Sequence, residues 1–281
     1  MKQSNKMNSR VIENYSRLKY AVFLFPSFLL LTIAMYLYFQ NALNINGYIN
    51  IQKEVFYSLN SHLAQFPIIE YNLTQIGDAL IFLSLMSVFI IYVPEIWKAL
   101  IPGSLLSMIL SRGLKNLFTV PRPAAILDTH TFFIVGEMRP GFSSLPSGHS
   151  ITIFTTLTIL LFAFMPQKML HRFFWTFSFL VTGMLLAFTR VGVGAHFPLD
   201  VIIGSIIGYF SALAGIFISR KNAVWSWLEN KKYFPVFLLL LLVCVVLIVI
   251  KIMEDPLPVY VLTLLVTLFS LYKISDVYFK K

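Results

Sequence analysis

The sequence predicts an all-α fold, a polytopic bundle of transmembrane helices, on three observations. Of 281 residues, 58% are hydrophobic and only 12% are charged, against roughly 25% charged residues in a soluble domain. The apolar residues fall into long runs, and the basic residues gather between those runs. The runs do not alternate, as the strands of a transmembrane barrel would. Backbone groups in lipid must bond within their own segment, so the runs are read as helices.

Eight runs are candidate spans: Tyr20–Phe39, Ala79–Val93, Ile96–Leu110, Ser147–Met165, Phe173–Phe188, Leu199–Ser219, Phe234–Ile250 and Leu257–Tyr272. Several fall short of the ~20 residues that cross a bilayer, and their polar ends are expected to extend them. The first run follows a basic segment. It exceeds the roughly 7–15-residue core of a signal peptide and lacks a small-x-small cleavage site, so it reads as a retained anchor. Cys244 is the single cysteine. It lies in an apolar run and permits no intrachain disulfide.

The net charge of +10 is assigned to membrane topology rather than to a nucleic-acid partner. With the N-terminus inside and the spans alternating, 15 of the 22 basic residues lie inside and 7 outside. Lys2, Lys6, Arg10, Arg17, Lys19, Lys280 and Lys281 are among the inside set. The outside set is the more informative, because five of the 7 fall between Arg112 and Arg139 or at Arg190. Export of positive charge is disfavoured, so that cluster points to a cationic pocket for an anion. The outside segment 41–77 carries Ile51, Val55, Phe56, Leu59 and Leu63 at helical spacing. That stripe fits either a helix lying in the interface or a packed loop helix. Asn72-Leu-Thr74 matches a glycosylation sequon, which matters only in a eukaryotic secretory host.

Three segments carry polar residues where apolar ones would cost less. Lys115 and Arg122, with Pro123, follow the third span; arginine offers phosphate a planar fork and lysine a point charge. Interfacial snorkelling is the alternative for this pair. Leu145–Ser150 enters the fourth span: Ser147 suits an N-cap, the helix start suits an anion, and Gly148 permits close approach. His149 then sits in the first turn. A capped helix with a stray histidine is the plainer reading. In Thr189–Asp200, Arg190 ends the fifth span and His196 precedes the sixth, with Pro198 fitting its first turn. Asp200 lies four residues after His196, within reach of it, where a carboxylate fixes the imidazole tautomer and leaves the opposite nitrogen free. The topology brings all three segments out on one side. Charge clamps, an in-line nucleophile and an acid for the leaving group are the parts of phosphoryl transfer. A metal site on His149, His196 and Asp200 is the competing arrangement.

The order and spacing of these residues resemble the type-2 phosphatidic acid phosphatase superfamily of membrane lipid phosphatases. Its pattern is Lys-x6-Arg-Pro, Pro-Ser-Gly-His and Ser-Arg-x5-His-x3-Asp. Here Lys115, Arg122 and Pro123, then Pro146 to His149, then Arg190, His196 and Asp200 occupy those positions, with Thr189 in place of the usual serine. The resemblance covers about Ile96 to Ser219. The apolar runs make 1–281 a single membrane domain; the resemblance implies a catalytic core at 96–219 within a six-helix bundle, to which the two transmembrane helices in 220–281 are an addition. It implies that His196 attacks phosphorus to form a phosphohistidine, that Asp200 orients it, and that His149 protonates the leaving oxygen. Lys115, Arg122, Ser147, Gly148 and Arg190 would bind the phosphate, with no metal or other cofactor.

Arg139, in the loop 124–144, is expected to contact the substrate head group; a solvated loop charge is the alternative. The expected partners are a lipid phosphate substrate and membrane lipids, with no nucleic acid and no protein partner indicated. Candidate substrates are undecaprenyl diphosphate, phosphatidylglycerol phosphate, phosphatidate and lipid A phosphates. A phosphotransferase would use the same intermediate. A transporter would place its polar site near the midplane, and a non-catalytic relative would be expected to lack a histidine. Vanadate-dependent haloperoxidases share the superfamily's pocket but are soluble. The composition leans towards a bacterial inner membrane with an extracytoplasmic site.

Overall fold

The computed structural model describes residues 2–221, 225, 227–228 and 230–280. Lys281 lies outside the described residues. The described residues are all-helical. They form α1 (Lys2–Ser16), a 3-10 turn (Tyr20–Phe23), α2 (Leu24–Phe39), α3 (Ile45–Leu63), α4 (Pro67–Ile76), α5 (Ala79–Met86) and α6 (Phe89–Tyr92). There follow α7 (Pro94–Phe118), α8 (Pro123–Ile126), α9 (Gly148–Ala163), α10 (Met169–Gly192), α11 (Pro198–Lys221), α12 (Phe234–Glu254) and α13 (Pro258–Phe279).

Five segments are long and apolar enough to cross a membrane as they stand: Tyr20–Phe39, Met169–Gly192, Pro198–Lys221, Lys231–Glu254 and Pro258–Phe279. The apolar helix α9 has 16 residues, about 24 Å of helix. The expected span Ala79–Val93 is broken into α5 and α6. Trp97 Nε1 donates to the Met86 carbonyl at 2.9 Å, which satisfies a group freed by the break, as a low-dielectric setting demands. Pro94 then starts α7, a position where its missing N–H costs nothing. Helix α7 runs for 25 residues, past the expected end at Leu110, so Lys115 sits in its last turn.

Helix α11 is the axis of the bundle. It packs on α9 and α7 along a seam of glycines. A Cβ on Gly204 would lie 2.7 Å from the Ser147 carbonyl, and one on Gly208 would lie 2.5 Å from that of Ile151. Gly215 meets the backbone of Ala99 and Gly103 on α7. Small residues at four-residue spacing let helix backbones approach in this way.

Helix α3 packs against α10 and α11, as a packed loop helix would. Its buried face is Tyr48, Ile49, Gln52, Phe56 and Asn60, which shares only Phe56 with the apolar stripe; Ile51, Leu59 and Leu63 are partly buried and Val55 is exposed. The reason lies in unpaired helix ends. Asn60 Nδ2 donates to the carbonyls of Val191 and Gly192 at 3.0 Å each, where α10 ends. Gln52 Oε1 accepts from Leu199 N at 2.9 Å, where α11 begins. At the opposite end of the bundle, α1 docks through Val11, Asn14 and Tyr15. Asn14 Nδ2 donates to the Ala163 carbonyl at 2.9 Å and Tyr15 Oη to that of Ile159 at 3.2 Å. Cys244 on α12 is a partly buried free thiol.

Candidate active site

The three polar segments converge at one end of the bundle. Helix α10 ends at Gly192, and the Arg190 carbonyl accepts from both Ala195 N (3.0 Å) and His196 N (3.2 Å). Gly194, at φ +75°, makes that turn; a side chain would be strained there. The turn delivers His196, 2% exposed, beside Asp200, fully buried in the first turn of α11.

The Asp200 carboxylate is saturated by donors. Its Oδ2 accepts from Ser144 Oγ (2.6 Å) and from Phe197 N (2.9 Å). Its Oδ1 accepts from Tyr48 Oη at 2.8 Å. His196 Nδ1 lies 3.6 Å from Asp200 Oδ2 and 3.4 Å from Ser144 Oγ. The carboxylate therefore faces Nδ1 at ion-pair range, with Ser144 between the two, and Nε2 is the nitrogen turned away from it. Burial first, then the charge of Asp200, pushes the Tyr48 phenol well above its ordinary pKa, so Tyr48 remains a donor to that carboxylate.

Ser147 is fully buried and serves as the N-cap of α9. Its Oγ accepts from Ser150 Oγ at 2.9 Å and Ser150 N at 3.4 Å. Its hydroxyl proton is still available to a further acceptor. Ser147 N donates to the Asp200 carbonyl at 3.0 Å, which ties the second polar segment to the third. Lys115 Nζ comes within 3.7 Å of where a Gly148 side chain would begin. Arg122 N donates to the Gly141 carbonyl (2.8 Å), and Ser144 N donates to that of Val120 (2.9 Å). These bonds lay the loop 124–144 across the first segment.

The electrostatics are those of an anion site. Arg190 is buried, and its Nη1 donates to Thr74 Oγ1 at 2.9 Å. Its Nε and the Nη1 of Arg122 are buried without a partner. Such donors cost free energy unless something accepts from them. Burial first, then the charges of Arg122, Arg190 and Lys115, holds the His196 pKa well below the ordinary 6.5, so the imidazole is neutral at neutral pH. Burial and then the Arg139 charge lower the pKa of Arg122. Arg139 itself is exposed and pairs with Glu137 at 3.1 Å, so its charge reaches the site while its side chain stands above it.

His149 packs against Gly77, whose Cβ would fall 2.8 Å from the His149 Cβ. Lys115, Gly148 and His149 line one end of a groove of about 620 Å³ that continues past Ser111, Met108 and Ile101 to Trp97. On the α2 side of α7 lies a second, apolar groove of about 530 Å³, reaching Tyr48, Val120 and Leu145. The structure thus brings Lys115, Arg122, Ser147, Gly148, His149, Arg190, His196 and Asp200 to one end of the bundle and leaves the Arg139 side chain exposed above them. It adds Tyr48, Thr74, Gly77 and Ser144, which sequence reasoning missed. Only Ser144 had a local signal, a polar residue just ahead of the Pro146–His149 run.

Residues 97–223 match the family model described as the PAP2 superfamily. The chain is 32% identical over 152 residues to a lipid A 1-phosphatase of Rhizobium etli, covering 52% of this chain and 62% of that protein. A lipid A 1-phosphatase of Rhizobium johnstonii is 32% identical over 151 residues, covering 51% and 59%. The chain therefore spans about three fifths of the length of these relatives. An undecaprenyl-diphosphatase of Sulfolobus acidocaldarius is 25% identical over 173 residues, covering 57% and 79%. The crystal structure of Aquifex aeolicus LpxE aligns with a TM-score of 0.48 at 26% identity, covering 59% of this chain and 95% of that one. The three polar segments therefore belong to a PAP2 superfamily domain, which occupies residues 97–223 of an integral membrane protein.

Proposed function

We propose that the protein hydrolyses a lipid phosphate or diphosphate through a phosphohistidine on His196. The observation that carries this reading is the pair of buried guanidinium nitrogens without a partner, Arg122 Nη1 and Arg190 Nε, around a histidine held neutral. The lone pair of Nε2 attacks phosphorus, and the bond from phosphorus to the leaving oxygen breaks. His149, protonated while the anionic phosphate lies beside it, gives that oxygen its proton. Water then attacks the phosphohistidine, His149 takes a proton back, the nitrogen–phosphorus bond breaks, and phosphate leaves. Lys115, Arg122, Arg190, the Ser147 hydroxyl and the Gly148 N–H hold the oxygens that gain charge. Asp200, set by Tyr48, Ser144 and Phe197 N, stabilises the positive charge on the imidazole. Arg139 meets the head group. The chemistry draws on these side chains, without a metal.

The groove along α7 supports a lipid substrate. From Lys115 to Trp97 it follows 18 residues of helix, about 27 Å, a length that suits an acyl or isoprenoid chain. The excess of positive charge at the opposite end of the bundle supports a site on the extracytoplasmic face of a bacterial inner membrane. The catalytic core is residues 96–219, with 220–281 an addition to it.

The test is phosphate release in detergent and EDTA from phosphatidate, phosphatidylglycerol phosphate, undecaprenyl diphosphate and lipid A. Wild type is expected to release phosphate from at least one. His196→Ala is expected to lose at least about 10⁴-fold in kcat, as when a covalent nucleophile is removed. Turnover surviving in His196→Ala would sink the mechanism. Label passing to a second lipid rather than to water would make the protein a phosphotransferase.

A further inference from the structure

The helices α12 and α13 hold none of the phosphatase motifs, yet they touch the candidate site at one remove. They pack on α4 and α5 through a cluster of Ile81, Ile248, Leu257, Val259 and Tyr260. At the site end of α12, Lys251 Nζ lies 3.4 Å from Asp78 Oδ2. The other oxygen of Asp78 accepts from Leu80 N at 2.8 Å and so caps α5. The residue before it, Gly77, presses its backbone against the His149 ring: a Cβ there would lie 2.9 Å from Cδ2. Three residues earlier, Thr74 accepts from Arg190. The corner 74–78 is therefore held between the added helices on one side and two groups of the phosphate site on the other.

We propose that Lys251 is a positioning residue for His149, acting through Asp78 and Gly77 to fix the distance from which the leaving oxygen is protonated. This rests on the proposed role of His149 as the acid. The ion pair is about one-third exposed, 31% and 28% at its two side chains, so it adds little to stability and its loss leaves a folded protein. Its effect falls on geometry instead, where a shift of about 1 Å costs up to about 100-fold.

The experiment uses two substrates with different needs for a proton. Dioctanoyl phosphatidate expels an alkoxide and needs the acid; p-nitrophenyl phosphate expels a stable phenolate and does not. Lys251→Met is expected to lower kcat on phosphatidate about tenfold, with KM unchanged within about twofold, and to change p-nitrophenyl phosphate turnover by less than about twofold. Asp78→Asn, which keeps a capping side chain and drops the charge, is expected to show the same split. Lys251→Arg is expected to restore the rate. Equal loss on both substrates, or no loss on either, overturns the inference. His149→Ala, run alongside, must show the split more strongly. If wild type is active and His149→Ala shows no split, the acid assignment falls and this inference with it.

Discussion

Helices α11 and α12 are both long and apolar, but their surroundings differ. In α11, 67% of the spanning window is buried by protein, against 17% in α12. Helix α11 is less apolar because it must spend positions on Gly204, Gly208, Ser211 and Gly215, where neighbouring backbones pass. Helix α12 has no such seam, and much of its Leu- and Val-rich surface is open to lipid. In a bilayer there is little hydrophobic gain from burying leucine between helices, so close backbone packing holds the bundle. Hydrophobicity thus suits both helices to the membrane, and only α11 has a glycine seam that packs the helix behind Asp200 against neighbouring backbones.

The sharpest way to break this contrast is to add volume to the seam. Gly208→Leu would force a side chain against the Ile151 carbonyl and Phe154. It is expected to cost about 3 kcal/mol, read as loss of monodisperse protein on size exclusion and a lower Tm. A second test moves to the top of α11. Tyr48→Phe and Ser144→Ala each leave the Asp200 carboxylate short of one donor, and each is expected to lower kcat about tenfold, a typical loss for a supporting hydrogen bond. Wild-type rates in both variants would show that the carboxylate is held by Phe197 N alone.

A pH profile is subtler. Attack needs a neutral imidazole, and the His196 pKa lies below the ordinary 6.5. Lowering the pH therefore protonates His196 later than an ordinary histidine. The acid limb of kcat/KM should fall below 6.5, once the substrate's own ionisation is divided out. Arg122→Gln removes the largest charge contribution to that depression, so the limb should move up. A limb that stayed in place would assign it to another group. The smallest effect belongs to α12. Leu242→Ala, at a position 53% exposed on the described surface, is expected to leave kcat and Tm unchanged within error.

The sequence made the motif residues legible because each polar group there sits at a helix end, where an apolar residue would cost less. It also carried the Gly204–Gly208 spacing. It could not show Tyr48, Thr74 or Ser144, whose partners lie 152, 116 and 56 residues away. Of the buried face of α3, the apolar stripe marked only Phe56, for a physical reason. An apolar stripe marks a helix that buries carbon, whereas α3 buries Gln52 and Asn60 to finish the backbone bonding of α10 and α11. The break between α5 and α6 was equally silent. Its free carbonyl finds an indole eleven residues on, and no local pattern announces such a partner.

Asn60 has one more consequence, for the order in which the protein assembles. Its amide accepts from Phe133 N at 2.8 Å and donates to the carbonyls of Phe133, Val191 and Gly192 at 3.0 Å each. During synthesis α3 emerges before any of these groups exists, and the last two arrive some 130 residues later. At a typical pace of about 5–20 residues per second, that segment waits roughly 7 to 26 seconds for those partners. These bonds can form only after α10 has been delivered, so α3 is fastened over the phosphate site late in synthesis.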